Sequence, residues 1–223
     1  MNFYEIMPDK FKRVYRNPKY GINHEIKVPF RMIIVGQSSA GKSNTALNLI
    51  SLMPHTFDYI IVFLKSSDEP LYNFLAEHEG VKGKISFHEV DDKNPVTPLE
   101  ELEKVLTEED QVLCIFDDLV AAGRKTQEAI TQYFIQGRKV GGGVSSIYIS
   151  QSWYQIPKTI RGQANYVVFK KLSSIRDLKM IIRDVSQNAE ETRDLYEIVA
   201  NSRDPVARFV LIDLTKGEER TSF

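Results

Sequence analysis

One cysteine in 223 residues, Cys114, leaves no intrachain partner, so a disulfide framework is excluded as the basis of this fold. It lies within an apolar run and reads as a small buried hydrophobe. No apolar run reaches the about eighteen residues a membrane-spanning helix needs. The opening MNFYEIMPDKFKRVYRNPKY mixes acids, bases and prolines and lacks the apolar centre of a signal peptide. Together these absences predict a reducing, intracellular setting. An excess of charge is missing too: 29 Lys and Arg against 30 Asp and Glu leave a net of −1, which gives no global argument for a polyanionic partner. Internal repeats and low-complexity tracts are absent.

What is present is enough apolar content, 42%, to bury one full core. Residues 1–25 read as an N-terminal lead-in and 26–223 as a single domain. Charge is segregated along the chain even though it cancels overall. From Asp68 to Asp118 fifteen acids meet four lysines, and from Arg124 to Arg183 eleven bases meet only Glu128 and Asp177. Folding can turn such a division into a basic face that attracts polyanions, into a subunit contact, or simply into solvated helix surfaces.

Apolar runs alternate with helix-like stretches. Strands are predicted at 31–35, 59–64, 85–90, 111–119, 144–151, 165–172 and 207–214. Helices are predicted at 44–53, 71–80 (stopped by Gly80), 125–137, 174–185 and 189–200. A further helix over 97–110 would be capped by Thr97, with Pro98 in its first turn and Leu99, Leu102, Val105 and Leu106 on one stripe. Continuously apolar strands between helices predict an α/β fold with a mostly parallel sheet covered on both faces.

Gly36-Gln37-Ser38-Ser39-Ala40-Gly41-Lys42-Ser43 fits the phosphate-loop pattern G-x-x-x-x-G-K-[ST], with a strand before it and a helix after it. Backbone N–H groups of Ser39 to Ser43 are expected to wrap a β-phosphate at the helix N-terminus. Lys42 would reach the β- and γ-phosphates, and the Ser43 hydroxyl would ligate Mg²⁺. VLCIFDDL supplies the second element. Asp117 would hold Mg²⁺ opposite Ser43, and Asp118 would polarise the attacking water, as in ATP-driven motors with an additional catalytic acid.

Gln151 follows an apolar strand and, if that strand adjoins both nucleotide-bearing strands, arrives beside the γ-phosphate as a sensor. Arg138, ahead of a Gly141-Gly142-Gly143 run that reads as a flexible connection, and Arg161, after Pro157, are candidates for an arginine finger reaching a neighbouring subunit. Lys139, Lys158, Lys170 and Lys171 are weaker candidates for DNA backbone contact. Trp153 and Tyr154 read as packing residues, since a duplex offers no exposed base face.

PFRMIIVGQSSAGKS, CIFDDL, GRKVGGGVSSIYISQSWYQIPKTIR and NYVVFK occur in the order seen in viral genome-packaging ATPases of the HerA–FtsK superfamily. Over about residues 26–172 the chain resembles the poxvirus-type enzymes of large DNA viruses, virophages and related viruses. That resemblance implies a RecA-like core binding ATP and Mg²⁺, with Lys42, Ser43, Asp117, Asp118 and Gln151 in the roles above. It also implies a homo-oligomeric ring of five or six subunits that drives double-stranded DNA, without sequence preference, into a preformed capsid, docked at a capsid vertex protein. The host cytoplasm or virus factory, with association to the virion, is the corresponding location. Alternative readings are a cellular HerA- or plasmid-transfer-type DNA translocase and a small phosphate-loop nucleotide kinase. The first would usually carry accessory domains and the second an arginine-rich lid, neither of which is evident.

Overall fold

A computed structural model describes residues 6–8, 12–66, 70–77, 84–204 and 208–222. Eight strands form one sheet: β1 (Arg31–Val35), β2 (Tyr59–Leu64), β3 (Ile85–Glu89), β4 (Val112–Asp117), β5 (Val144–Ser150), β6 (Tyr166–Phe169), β7 (Val210–Asp213) and β8 (Glu218–Arg220). Their order is β3-β2-β4-β5-β1-β6-β7-β8. The first six run parallel, β7 returns antiparallel beside β6, and β8 pairs antiparallel with β7 at the edge. Helices α1 (Lys42–Leu52), α2 (Pro70–Glu77), α3 (Leu99–Glu103), α4 (Arg124–Gln136), α5 (Lys158–Gln163), α6 (Ile175–Val185) and α7 (Ala189–Ala200) connect them. Among the described residues, no helix is long and apolar enough to cross a membrane.

The continuous apolarity of the central strands follows from burial on both faces. In β4, Val112, Cys114 and Phe116 join one core cluster, while Leu113 and Ile115 join the other. β1 divides in the same way, Ile33 and Val35 against Met32 and Ile34. Cys114 is a buried free thiol, as its apolar run predicts.

Two local readings are corrected, and two elements are added to those expected. The expected helix over 97–110 is only one short element, α3, and Pro98 rather than Thr97 occupies the cap, without a side-chain cap bond. Leu99 and Leu102 are buried, but Val105 is 75% exposed. A turn in which Asp110 accepts from the Thr107 backbone and hydroxyl, both at 2.7 Å, competes with helical continuation. The glycine run is not a flexible tether but a close-packed turn. A Cβ on Gly142 would stand 2.7 Å from the Glu109 carbonyl oxygen, and Gly141 and Gly143 take φ of +54° and +106°. Residues 158–163 form α5, and β8 adds a hairpin strand whose polar sequence carries no period-2 signal. Gly80 lies outside the described residues.

In the described part of the lead-in, Arg13 and Arg16 lie at the amino ends of the strands. Gln111, at the start of β4, bonds the Arg16 backbone through both ends of its amide, and Arg16 pairs with Asp58. Arg13 donates to the carbonyls of Arg138 and Lys139 at 3.1 and 3.0 Å. The carboxyl ends of the strands, on the opposite side, carry the site.

Candidate nucleotide-binding site

β1 lies between β5 and β6, and both neighbours stitch the loop that leaves it. The Gly36 N–H donates to Ser150 O at 3.2 Å, and the Gln37 N–H to Lys171 O at 2.8 Å. Gly41 then takes φ +77°, a left-handed turn that glycine adopts without Cβ strain, and Ser39 sits at φ +59°. α1 starts at Lys42 without a side-chain cap, so its first-turn N–H groups are offered to an anion where the helix dipole favours one. One expectation needs correction. The Ala40 N–H is used inside the loop, on Gln37 O at 3.2 Å, and its side chain is buried behind the site. A cleft of about 420 Å³ opens in front of the loop, lined by Ser38, Ser39, Gly41, Lys42 and Ser43 and by Asp117, Asp118 and Gln151.

Lys42 Nζ donates to Gln37 O at 3.0 Å. Burial pulls the Lys42 ammonium below its ordinary range, while Asp117 and Asp118 pull it back up. The Ser43 hydroxyl donates to Asp117 Oδ2 at 2.9 Å, leaving its own lone pairs available to a cation. Burial pushes the Asp117 carboxyl up, opposed by hydrogen bonds from Tyr72 and Ser43 and by Lys42. Asp118 has φ +52°, a backbone state that costs energy and is held here by the Asp118 N–H donating to Ile149 O.

β5 pairs with both β1 and β4, the condition for Gln151 to enter the site. Its Nε2 donates to Asp118 Oδ2 at 3.0 Å. Beyond it, Asp177 of α6 accepts from the Ser152 hydroxyl and the Tyr154 N–H, fixing the loop that carries the glutamine. No motif in the sequence marks Tyr72 of α2 as a site residue. Its hydroxyl nevertheless donates to Asp117 Oδ2 at 2.5 Å, a contact that depends on β2 and β4 being neighbours.

The two arginine candidates separate. Arg161 is tied down: its side chain is 13% exposed, ion-paired with Asp184, bonded to Ile156 O at 3.2 Å and placed over the Trp153 ring. Trp153 is fully buried, as expected of a packing residue, and its Nε1 donates to the same Asp184. Tyr154, by contrast, is 53% exposed beneath the Arg176 guanidinium. Arg138 and Lys139 are exposed on a 3-10 turn (Gly137–Lys139), and Lys158 and Lys171 are exposed elsewhere.

Lys170 is withdrawn from the surface candidates, because it is fully buried behind the phosphate loop. Its Nζ donates to Thr45 Oγ1 at 2.9 Å, and that hydroxyl donates to Gly41 O at 3.0 Å. Burial lowers its pKa to about 8, Asp204 opposing and Lys42 adding to the effect. The folded state therefore releases this proton before the unfolded chain does. The cost of burying the charge is fully present below pH 8 and is relieved as pH rises toward 10.5. The relief amounts to about 3 kcal/mol. Lys170→Met is expected to remove that pH-dependent gain, as read by denaturant unfolding between pH 7 and 10. Equal slopes in parent and variant would refute the assignment.

The donor set suits a hard cation and a triphosphate. A hydroxyl and a carboxylate converge at 2.9 Å beside a lysine and an uncapped helix start. Among the described residues no cluster of three or more His, Cys, Asp or Glu forms an all-protein metal cage, and Mg²⁺ bound with nucleotide needs none.

Comparison with known proteins places the fold. A profile of the family described as Poxvirus A32 protein matches residues 18–213. Among solved structures, the DNA-packaging ATPase B204 from Sulfolobus Turreted Icosahedral Virus superposes with a TM-score of 0.62 at 18% identity, covering 89% of this chain and 98% of that one. The genome packaging NTPase B204 from Sulfolobus turreted icosahedral virus 2, in complex with AMPPCP, gives 0.60 at 16% identity over 89% and 99%. EssC (ATPases 2 and 3) from Geobacillus thermodenitrificans gives 0.60 at 11% identity, covering 87% of this chain and 39% of that one. No curated protein matches the sequence significantly. The chain thus has the α/β phosphate-loop ATPase fold.

Proposed function

This chain belongs to the Poxvirus A32 protein family, and on that footing we propose that it is a Mg²⁺-dependent ATPase that drives double-stranded DNA into a viral capsid. The observation that carries the reading is the Asp118–Gln151 hydrogen bond at the mouth of the phosphate loop. It joins a water-polarising acid to an amide that would meet the γ-phosphate, so hydrolysis and sensing share one contact. The B204 proteins, named as DNA-packaging and genome-packaging enzymes, support the same direction at the level of fold.

The α1 start and Lys42 would hold the phosphates. Ser43 and Asp117 would hold Mg²⁺, which when bound neutralises charge on the β- and γ-phosphates. Asp118 accepts a hydrogen bond from the attacking water, and Gln151 keeps that carboxylate aimed. Backbone tracking of DNA needs no base-reading motif, and its affinity should fall steeply with salt.

The test combines phosphate release from ATP, with and without linear duplex DNA, and particle mass with an ATP analogue and DNA. The expected outcome is ring-sized particles and hydrolysis stimulated several-fold by duplex. Absence of phosphate release from assembled particles on DNA would overturn the proposal. A strict requirement for a small phosphoryl acceptor would favour a kinase instead.

A further inference from the structure

Asp117 Oδ2 accepts two hydroxyls, from Ser43 of the phosphate loop at 2.9 Å and from Tyr72 of α2 at 2.5 Å. The first belongs to the nucleotide machinery. The second comes from an element that the phosphate-loop and acid motifs leave outside it. Tyr72 is the buried residue of α2 and is 2% exposed, with its ring 5.7 Å from that of Phe87. The ring therefore packs on β3 while the hydroxyl reaches across β2 to the end of β4. Leu64, Lys65, Ser66 and Leu71, from the same β2–α2 region, line the cleft with it.

We propose that Tyr72 is a positioning residue for the metal-holding carboxylate, and that it ties α2 to the state of the nucleotide site; this rests on the reading of Asp117 and Ser43 given above. A carboxylate without a fixed rotamer must lose torsional freedom on receiving a hydrated cation. A hydroxyl locked by a packed ring removes that freedom in advance. Because the Tyr72 bond anchors α2, any change in how Asp117 is held when metal and nucleotide bind is felt by that helix.

The test uses Tyr72→Phe, which keeps the ring on Phe87 and deletes only the hydroxyl. Binding of a fluorescent ATP analogue is measured across a Mg²⁺ titration and in EDTA, with thermal unfolding as a fold check. The half-saturating Mg²⁺ concentration is expected to rise about 10-fold or more, the scale of one hydrogen bond to a charged group, while EDTA affinity stays within about 2-fold. In an Asp117→Asn background the same substitution should add no further loss of Mg²⁺ response, since both changes act on one interaction. A variant that titrates like the parent overturns the role of Tyr72 and leaves the nucleotide site standing. A parent whose binding ignores Mg²⁺ overturns the site reading itself, and the role of Tyr72 with it. Equal losses in EDTA and Mg²⁺ would show a purely structural tyrosine.

Discussion

Replacing Asp118 with Asn is expected to lower ATP hydrolysis about 10³-fold while nucleotide affinity stays within about 3-fold. The substitution is nearly isosteric, so the contact with Gln151 is kept, the new amide oxygen still accepting from Gln151 Nε2 at the 3.0 Å site. It is also backbone-neutral. Asp118 sits at φ +52°, and Asn is among the few residues that adopt this region readily. What disappears is the negative charge that, in the proposed mechanism, polarises the attacking water. Asp118→Ala is the less informative variant, because it combines lost chemistry with strain at a positive φ. Single-turnover phosphate release with saturating ATP, alongside analogue binding, reads the two quantities separately. Hydrolysis unchanged in Asp118→Asn would move the catalytic role elsewhere and favour a nucleotide-binding protein without turnover.

Arg138→Ala is expected to cost about 10³-fold or more in hydrolysis by the assembled protein, with nucleotide binding by the isolated subunit unchanged. Arg138 precedes β5 at the amino edge of the sheet, whereas Gln151 leaves its carboxyl edge. The seven residues of β5 put roughly 23 Å between the two edges, more than an arginine side chain spans. The residue therefore does not reach the phosphate loop of its own subunit, and the proposed finger role is one toward a neighbour's nucleotide. Its surroundings suit such a role. The turn that bears it is gripped at its carbonyls by Arg13, and Arg31 stands close enough to add positive potential. Under the proposed ring, mixing supplies the decisive measurement. Arg138→Ala subunits retain an intact phosphate loop, and Lys42→Ala subunits retain an intact Arg138. Combining the two inactive proteins should restore part of the DNA-stimulated activity, because some interfaces then pair a good site with a good arginine. No recovery on mixing, in particles of parental mass, would remove Arg138 from the mechanism. Arg161 is the natural control, since its pairing with Asp184 and its place over Trp153 give it a structural role inside its own subunit.

The residues legible in the sequence share one property: their chemistry is confined to a few consecutive positions. Gly41, Lys42 and Ser43 act through a turn and a helix start that eight residues specify by themselves. The Asp117-Asp118 pair marks the end of a strand whose apolarity is equally local. Strand positions were readable for the same reason, as burial on both faces of a parallel sheet leaves an unbroken apolar run. The glycine run shows the limit of this kind of reading. Composition suggests freedom there, but packing against Glu109 and Asp110 makes the glycines a requirement of close approach. Arg161 and Lys170 show it again, because a charged side chain carries no local sign of whether it will meet Asp184, a Thr45 hydroxyl or solvent.

By itself, then, the order of amino acids determined the phosphate-loop turn and the uncapped helix start at the mouth of an α/β sheet, because backbone turns and helix dipoles are short-range physics. Tertiary structure alone decided that Gln151 bonds Asp118, that Tyr72 joins Asp117, and that one arginine is displayed while the other is locked away. Those contacts follow from β5 lying between β1 and β4, and from β2 lying beside β4. Such pairings are chosen by the burial of whole faces against one another, a sum over distant segments that no single stretch of residues records.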